Sequence, residues 1–431
     1  MECCHQVSNP VDPTDVCTSW GTLILRNAII LSGSGEDYIL DSTIVIRNGK
    51  IEEIVSNFKF EERMKREPTP DADTHVIDLG GSFVSAGLID LQVYGSGGHM
   101  FGGKPTARAL LQMEQDFCEQ GTTGFYATVA TNTDEVFQAA SSVAIEYYGN
   151  RIGNFWGLHF EGPFLNSLRR GAHPEELIKP INMSDVQKYV RSSEGHLKMM
   201  TLAAELVPFE EVGALQYMVD SGMVLSCGHS NATYDEFLRC ADYRSSSHPN
   251  AVCAYDCPPK LISAVTHLFN AMPPMHHRAP GCIPAMMERR PYCSIIVDGT
   301  HVDYAMVRLA KRALGDRLFL ITDAVTATEE GVYQHRLQAG TAAGPRYVMP
   351  DGTLSGSALS MMDAVHNCVK HCGITLQEAV RMASLYPARL VGLESTKGKI
   401  APGFDADLVV FNDEYEPQIT FIAGKRVYSR V

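Results

Sequence analysis

Apolar and polar positions first alternate in a β rhythm. Thr22–Leu31 reads as one strand or a kinked pair, and Ser42–Val55 as a hairpin turning at Asn48-Gly49, a dipeptide suited to a tight turn with positive φ at both positions. Thr74–Leu79 reads as a further short strand, and the charged, Pro-containing stretch 58–73 as an exposed loop. From residue 85 the rhythm changes. Eight short β-rich runs recur with mostly helix-length segments between them: Leu88–Val93, Gly124–Val129, Trp156–Phe160, Met199–Ala203, Met223–Cys227, Ala264–His267, Ser294–Val297 and Leu318–Ile321. Ala107–Gln120, Asp134–Tyr148 and Tyr304–Leu314 are examples of crossover helices, the last stopped by Gly315. This repetition predicts an α/β fold of TIM type, a (β/α)8 barrel.

Two helical segments follow, Ser357–Cys372 and Leu376–Leu393. The chain then ends in strand-like Lys399–Asn412 and Gln418–Val427 with a Pro402-Gly403 turn. The expected organisation is a loose tail over 1–19, a small β-sandwich-like domain from 20–84 plus 395–431, and a hydrolase barrel over 85–394. Residues 240–260 look like a loop insertion.

Composition narrows the functions. With 431 residues, 45% apolar and 20% charged, the chain can bury a large core and a smaller one. A net charge of -14 argues against nucleic-acid binding, although a few pocket residues can still reverse the local sign for a small anion. No apolar run is long enough for a membrane span, and the start shows no secretory pattern, so a cytoplasmic protein is expected. Twelve scattered cysteines fit reduced thiols; only Cys253 and Cys257 are spaced to suggest zinc, and they lack a second pair.

Chemistry in such barrels sits at the C-terminal strand ends. Those positions hold Glu161 after the third run, His229 after the fifth, His267 ending the sixth, His301 after the seventh and Asp323 after the eighth. One histidine there is most often a hydrogen-bonded structural residue; five such residues at five strand ends are a site. Two imidazoles and a carboxylate suit a divalent metal with an open position, which brings bound water to a pKa of about 7. Asp323 is then placed to carry a proton from water to a leaving group. This is the logic of metal-assisted amide hydrolysis.

The segments Leu158–Phe164, Gly171–His173, Cys227–Ala232, Thr266–Met272, Val297–His301 and Leu320–Ala324, with the tail Gly398–Phe411, resemble the N-acetylglucosamine-6-phosphate deacetylases of the amidohydrolase superfamily. The resemblance runs in order from about residue 20 to the end. It implies release of acetate from N-acetylglucosamine 6-phosphate in amino-sugar catabolism. It implies Glu161, His229 and His267 as ligands of one divalent metal per subunit, zinc first, with iron, cobalt, manganese or nickel also suitable. Asp323 would be general base and acid, His173 would polarise the acetamide carbonyl, and His301 would hold a sugar hydroxyl. Asn270 and Ala271 would meet the phosphate with Arg278, which can reach across a dimer interface in the family and so implies a homodimer. Ala172, Leu354, Ser355 and Gly356 would border the substrate.

Each assignment has a plainer reading. His173 after Arg169-Arg170 could be solvated, and Arg278 after His276-His277 could be a surface basic cluster. His159, two residues before Glu161, reads as a packing or supporting residue. Gln92 and Tyr94 stand where many superfamily members carry His-x-His for a second metal, and the fourth run lacks a suitably placed lysine, so one metal is expected. The same absences weigh against a cyclic-amide hydrolase of the dihydroorotase or hydantoinase type, and the missing His-x-His weighs against a deaminase. A non-catalytic scaffold should have lost some of Glu161, His229, His267 and Asp323.

Overall fold

The computed structural model describes residues 21–35, 38–66, 74–243, 260–328, 331–338 and 345–430. Its main sheet is a ladder of eight parallel strands: Leu88–Val93, Thr122–Ala130, Phe155–Glu161, Leu197–Leu202, Val224–Cys227, Ile262–Val265, Tyr292–Ile295 and Leu318–Leu320. Each lies beside the next in sequence. The two ends of the ladder meet just past the eighth strand, where Val93 bridges to Ala324 and Asp323 N–H donates to Gln92 O at 2.9 Å. The barrel closes there. All eight apolar runs become strands because a parallel strand is buried on both faces and reads as a short continuous apolar run.

The crossover helices carry their own start signals. Thr106 accepts from Ala109 N–H, and Thr233 with Glu236 and Ser360 with Asp363 form capping boxes. The last of these corrects one boundary. The helix expected from Ser357 starts at Met361, and Ser357 instead bridges Ala324 beside the barrel. Leu376–Leu393 is two helices, Leu376–Ala383 and Leu385–Leu390. Pro387 explains the break, since its ring would clash with the carbonyl of Ala383 in a continuous helix, whereas the first turn of a new one accepts it.

Both termini share a second sheet, in the order Lys425–Ser429, Pro417–Ile422, Leu408–Phe411, Phe83–Ala86, Thr22–Leu31, Ile39–Arg47 and Lys50–Ser56, with Thr74–Asp78 also paired to Thr22–Leu31. The sandwich-like module is thus one hydrogen-bonded sheet, packed around Leu23, Ile44, Val84, Leu408 and Phe421. Phe83–Ala86, too short to stand out in the sequence, joins the two termini. Thr22–Leu31 is a single strand with a register break between Leu25 and Ala28. Asn48 and Gly49 take φ of 51° and 75°, the turn expected of them.

One expectation fails here. The stretch 58–73 is not simply a loop, because Asn57–Arg66 is a helix that buries Phe60 against Ile24 and Val45. Its dense charges conceal the single buried position. Residues 1–19, the Cys253–Cys257 pair and most of the 240–260 insertion lie outside the described residues. The described cysteines are free and buried, and no described helix is long and apolar enough to cross a membrane.

Candidate active site

A cavity of about 260 Å³ opens at the C-terminal mouth of the barrel. Glu161 is the last residue of the third strand; His229 and His267 follow the fifth and sixth strands by two residues, so His267 lies beyond its strand and does not end it. Asp323 follows the eighth. His229, His267 and Asp323 have φ of 47°, 33° and 55°. These left-handed conformations are costly for side chains with a Cβ, and persist where surrounding bonds over-determine them. Ser294 Oγ takes His267 N–H at 2.8 Å, and Asp323 is clamped by Gln92 O and by Ser357 N–H.

The side chains converge on one carboxylate. Glu161 Oε1 lies 3.0 Å from His267 Nε2 and 3.3 Å from His229 Nε2, and Oε2 lies 3.1 Å from His173 Nε2. Glu161, His173 and His229 form one possible donor trio, with ligand atoms all within 4.8 Å of one another. The set named from the sequence is also brought together, with Glu161 Oε1, His229 Nε2 and His267 Nε2 all within 3.3 Å of one another. His229 Nδ1 donates to Arg169 O at 2.8 Å, which turns its Nε2 toward Glu161 and His267. Two imidazole nitrogens facing each other beside a carboxylate need a proton or a cation between them. The donor set fits a divalent metal.

The second carboxylate is held apart. Asp323 Oδ1 accepts from Gln92 Nε2 at 2.8 Å, with Tyr94 OH 3.3 Å away. Tyr94 OH donates to Glu161 Oε2 at 2.5 Å, and Gln92 Nε2 also lies 3.0 Å from Glu161 Oε1. Burial, then the charge of Glu161, raises the Asp323 carboxyl well above its ordinary range. Burial also pushes Glu161 up, but the charge of His229 and hydrogen bonds from three histidines outweigh it, holding this carboxyl well below its ordinary range. Two neighbouring carboxyls with opposite proton affinities are the arrangement acid–base chemistry requires.

His173 is buried, with Nδ1 2.8 Å from Thr131 Oγ1, so the solvated reading does not hold. Ala172, Asn270, Ala271, Leu354, Ser355 and Gly356 all line the cavity. His301 also lines it, but both ring nitrogens are engaged: Nδ1 with Asp298 Oδ2 and Nε2 with Ser355 O, each at 2.6 Å. Both partners only accept, so the ring carries two N–H groups. Burial opposes that charge, yet the hydrogen bond and charge of Asp298 prevail and raise its pKa. Arg278 is not brought to the cavity; it is exposed, with its N–H on His276 Nδ1. His159 is spent inside the barrel on Leu91 O and Thr201 Oγ1.

Gln92 and Tyr94 were read from the sequence only as missing metal ligands, whereas they bridge Glu161 and Asp323. Their alternation with Asp90 in an otherwise apolar strand is the signal that points inward. Tyr333, His335, Met100 and Val325 also line the cavity and belong to no motif that was read.

A profile of the Amidohydrolase family matches residues 261–427. The chain is 31% identical over 397 residues to the N-acetylglucosamine-6-phosphate deacetylase of Haemophilus influenzae, covering 90% of this chain and 95% of that one. It is 33% identical over 361 residues to an N-acetylgalactosamine-6-phosphate deacetylase of a Shewanella species, covering 83% and 86%. The crystal structure of the N-acetylglucosamine-6-phosphate deacetylase from Pasteurella multocida superposes with a TM-score of 0.78 at 31% identity, covering 94% of this chain and 99% of that one. With this extent of similarity, the chain belongs to the N-acetylglucosamine-6-phosphate deacetylase family of amidohydrolases.

Proposed function

We propose that the protein hydrolyses the acetamide of N-acetyl-D-glucosamine 6-phosphate to D-glucosamine 6-phosphate and acetate. The observation that carries this reading is the meeting of Glu161, His173, His229 and His267 beside an Asp323 of raised proton affinity, in a chain of this family. Glu161, His229 and His267 would hold one divalent metal, zinc by preference. When bound it supplies Lewis acidity and an activated water. His173 aims Nε2 at the same centre and polarises the amide carbonyl, its ring fixed from behind by Thr131. Asp323 takes the proton from water and passes it to the departing nitrogen. Gln92 and Tyr94 occupy the place of a second metal's ligands, which supports one metal per chain.

Ala172, Leu354, Ser355 and Gly356 border the sugar, and His301 reaches a sugar hydroxyl if its Nε2 releases Ser355 O. Asn270 and Ala271 meet the phosphate. Among the described residues lining the cavity none is Lys or Arg, so a guanidinium or ammonium for the phosphate would come from outside. Arg278 of a second subunit suits that need, since its guanidinium can fork onto phosphate; the assembly proposed is therefore a homodimer, and the compartment proposed is the cytoplasm. The barrel over 85–394 carries the chemistry, and 20–84 with 395–431 form the flanking domain.

Acetate release from the phosphorylated and unphosphorylated sugars tests the reaction and pocket together. Strong preference for the phosphate is expected. Activity on neither, with metal bound, overturns the substrate assignment.

A further inference from the structure

Tyr333 and His335 extend a row of rings that begins at the candidate metal ligands. Ring centroids are 4.9 Å apart from His267 to His229, 4.4 Å from His229 to His173, 6.1 Å from His173 to Tyr333 and 6.0 Å from Tyr333 to His335. The last two rings are 8° from parallel. Tyr333 is anchored by its hydroxyl, which donates to Thr131 O at 2.8 Å. His335 therefore stands two ring steps beyond His173 along the cavity wall, away from the centre where the amide would be cleaved.

The state of His335 is unusual. It is 5% exposed, its Nδ1 lies 3.0 Å from Ser355 Oγ, and its Nε2 is buried with no hydrogen-bond partner among the described residues. A buried polar nitrogen left unpaired bears its whole desolvation cost, and native sites keep such an atom where a ligand completes it. Burial lowers the imidazole pKa to about 4, so the ring is neutral at physiological pH. It therefore offers a phosphate no charge. One free nitrogen on a neutral imidazole matches one hydroxyl, which it can serve as donor or acceptor according to the tautomer set by Ser355.

We propose that His335 binds a ring hydroxyl of the sugar through Nε2 and helps decide which hexosamine phosphate the pocket accepts. This rests on the amino-sugar reading above. Ser355 couples the device to the rest of the pocket, because its hydroxyl meets His335 while its carbonyl holds His301 Nε2. A site built to hydrogen-bond a substrate hydroxyl discriminates against the sugar that lacks or misplaces it. Glucosamine and galactosamine phosphates differ in the orientation of one ring hydroxyl.

The test compares wild type, His335→Ala and His335→Gln on N-acetylglucosamine 6-phosphate, its C4 epimer, and the 1-, 3- and 4-deoxy analogues, reading kcat and KM for each. On the parent sugar, His335→Ala should lower kcat/KM about tenfold. The loss should nearly vanish on the one analogue without the hydroxyl that His335 holds. The glutamine variant should retain part of the parent rate, and carries the same comparison if the alanine variant does not fold. An equal loss on every sugar, or no loss on any, overturns the proposal while wild-type turnover keeps the amino-sugar reading. A wild type inactive on all of these sugars overturns both.

Discussion

The Gln92 side chain donates to Asp323 Oδ1 at 2.8 Å, and the same nitrogen lies 3.0 Å from Glu161 Oε1. A neutral amide on the first strand thus ties the proposed proton carrier to a proposed metal ligand. The same nitrogen also lies 2.9 Å from Tyr94 OH, and Tyr94 supplies a further link through Glu161 Oε2. Asp323→Asn should keep the metal, because its carboxylate is not among the donors that converge on Glu161. It should lower kcat by about 10³-fold or more. Metal content and kcat measured on one preparation check this; a near-normal rate removes Asp323 as proton carrier.

Gln92→Leu should act more mildly. The leucine leaves Asp323 with Tyr94 alone and removes one donor from Glu161. Supporting groups around a metal centre are commonly worth about 10–100-fold in activity or metal affinity. A fall of that size in kcat or metal affinity is expected. Unchanged values for both would show that Asp323 is oriented by its backbone clamp alone.

The 3.1 Å separation of His229 Nε2 and His267 Nε2 predicts a stability effect of metal. Without a cation the two ring nitrogens and Glu161 crowd one another in a buried site. Zinc added to chelated protein should raise Tm, since it binds the native state in preference to the unfolded chain. His229→Ala and His267→Ala should each abolish most of that rise and reduce bound metal from about one per chain. A rise retained in both variants places the metal elsewhere.

How much of this was legible in the sequence depends on whether the signal is local. The eight barrel strands stand out because burial on both faces gives uninterrupted apolar runs, as in Thr122–Ala130. Glu161, His229, His267 and Asp323 stand out because strand ends place them at the barrel mouth. Asn57–Arg66 escapes notice because one buried phenylalanine among charges has no visible period. Gln92, Tyr94 and His335 act through partners distant in the chain, such as Asp323 231 positions beyond Gln92, and no spacing reports such a contact. Arg278 remains outside the cavity in the single chain, so its assignment depends on a second subunit.

Glu114 supports the site from the opposite end of the barrel. This buried carboxylate accepts from Tyr147 OH at 2.6 Å and from the N–H groups of Ile152, Gly153 and Phe155 at 2.8, 3.0 and 3.0 Å. It organises the turn that feeds the third strand, which runs from Phe155 to Glu161. Glu114→Ala would strand four donors and should cost about 3–5 kcal/mol in stability. Denaturant unfolding measures this, with kcat of the folded fraction near wild type. A cost below about 1 kcal/mol would mean that water replaces the carboxylate readily.

Asp90 gives a pH dependence of definite sign. Burial raises its carboxyl from 3.8 to about 7, against the hydrogen bonds from Thr322 and Gln92. Thr322 Oγ1 donates to it at 2.5 Å, so Asp90 helps to fix the residue beside Asp323. Between pH 3.8 and about 7 the folded chain binds more of this proton than the unfolded chain. Its contribution is therefore most favourable at the acid end and declines as pH rises through that window. Asp90→Asn keeps an acceptor for Thr322 and has no proton to lose. The stability of the variant minus that of wild type should move toward the variant from pH 4 to pH 7, by a few kcal/mol at most. Denaturant unfolding of both proteins across that range measures the slope, and a constant difference would mean that Asp90 titrates alike in the folded and unfolded chains.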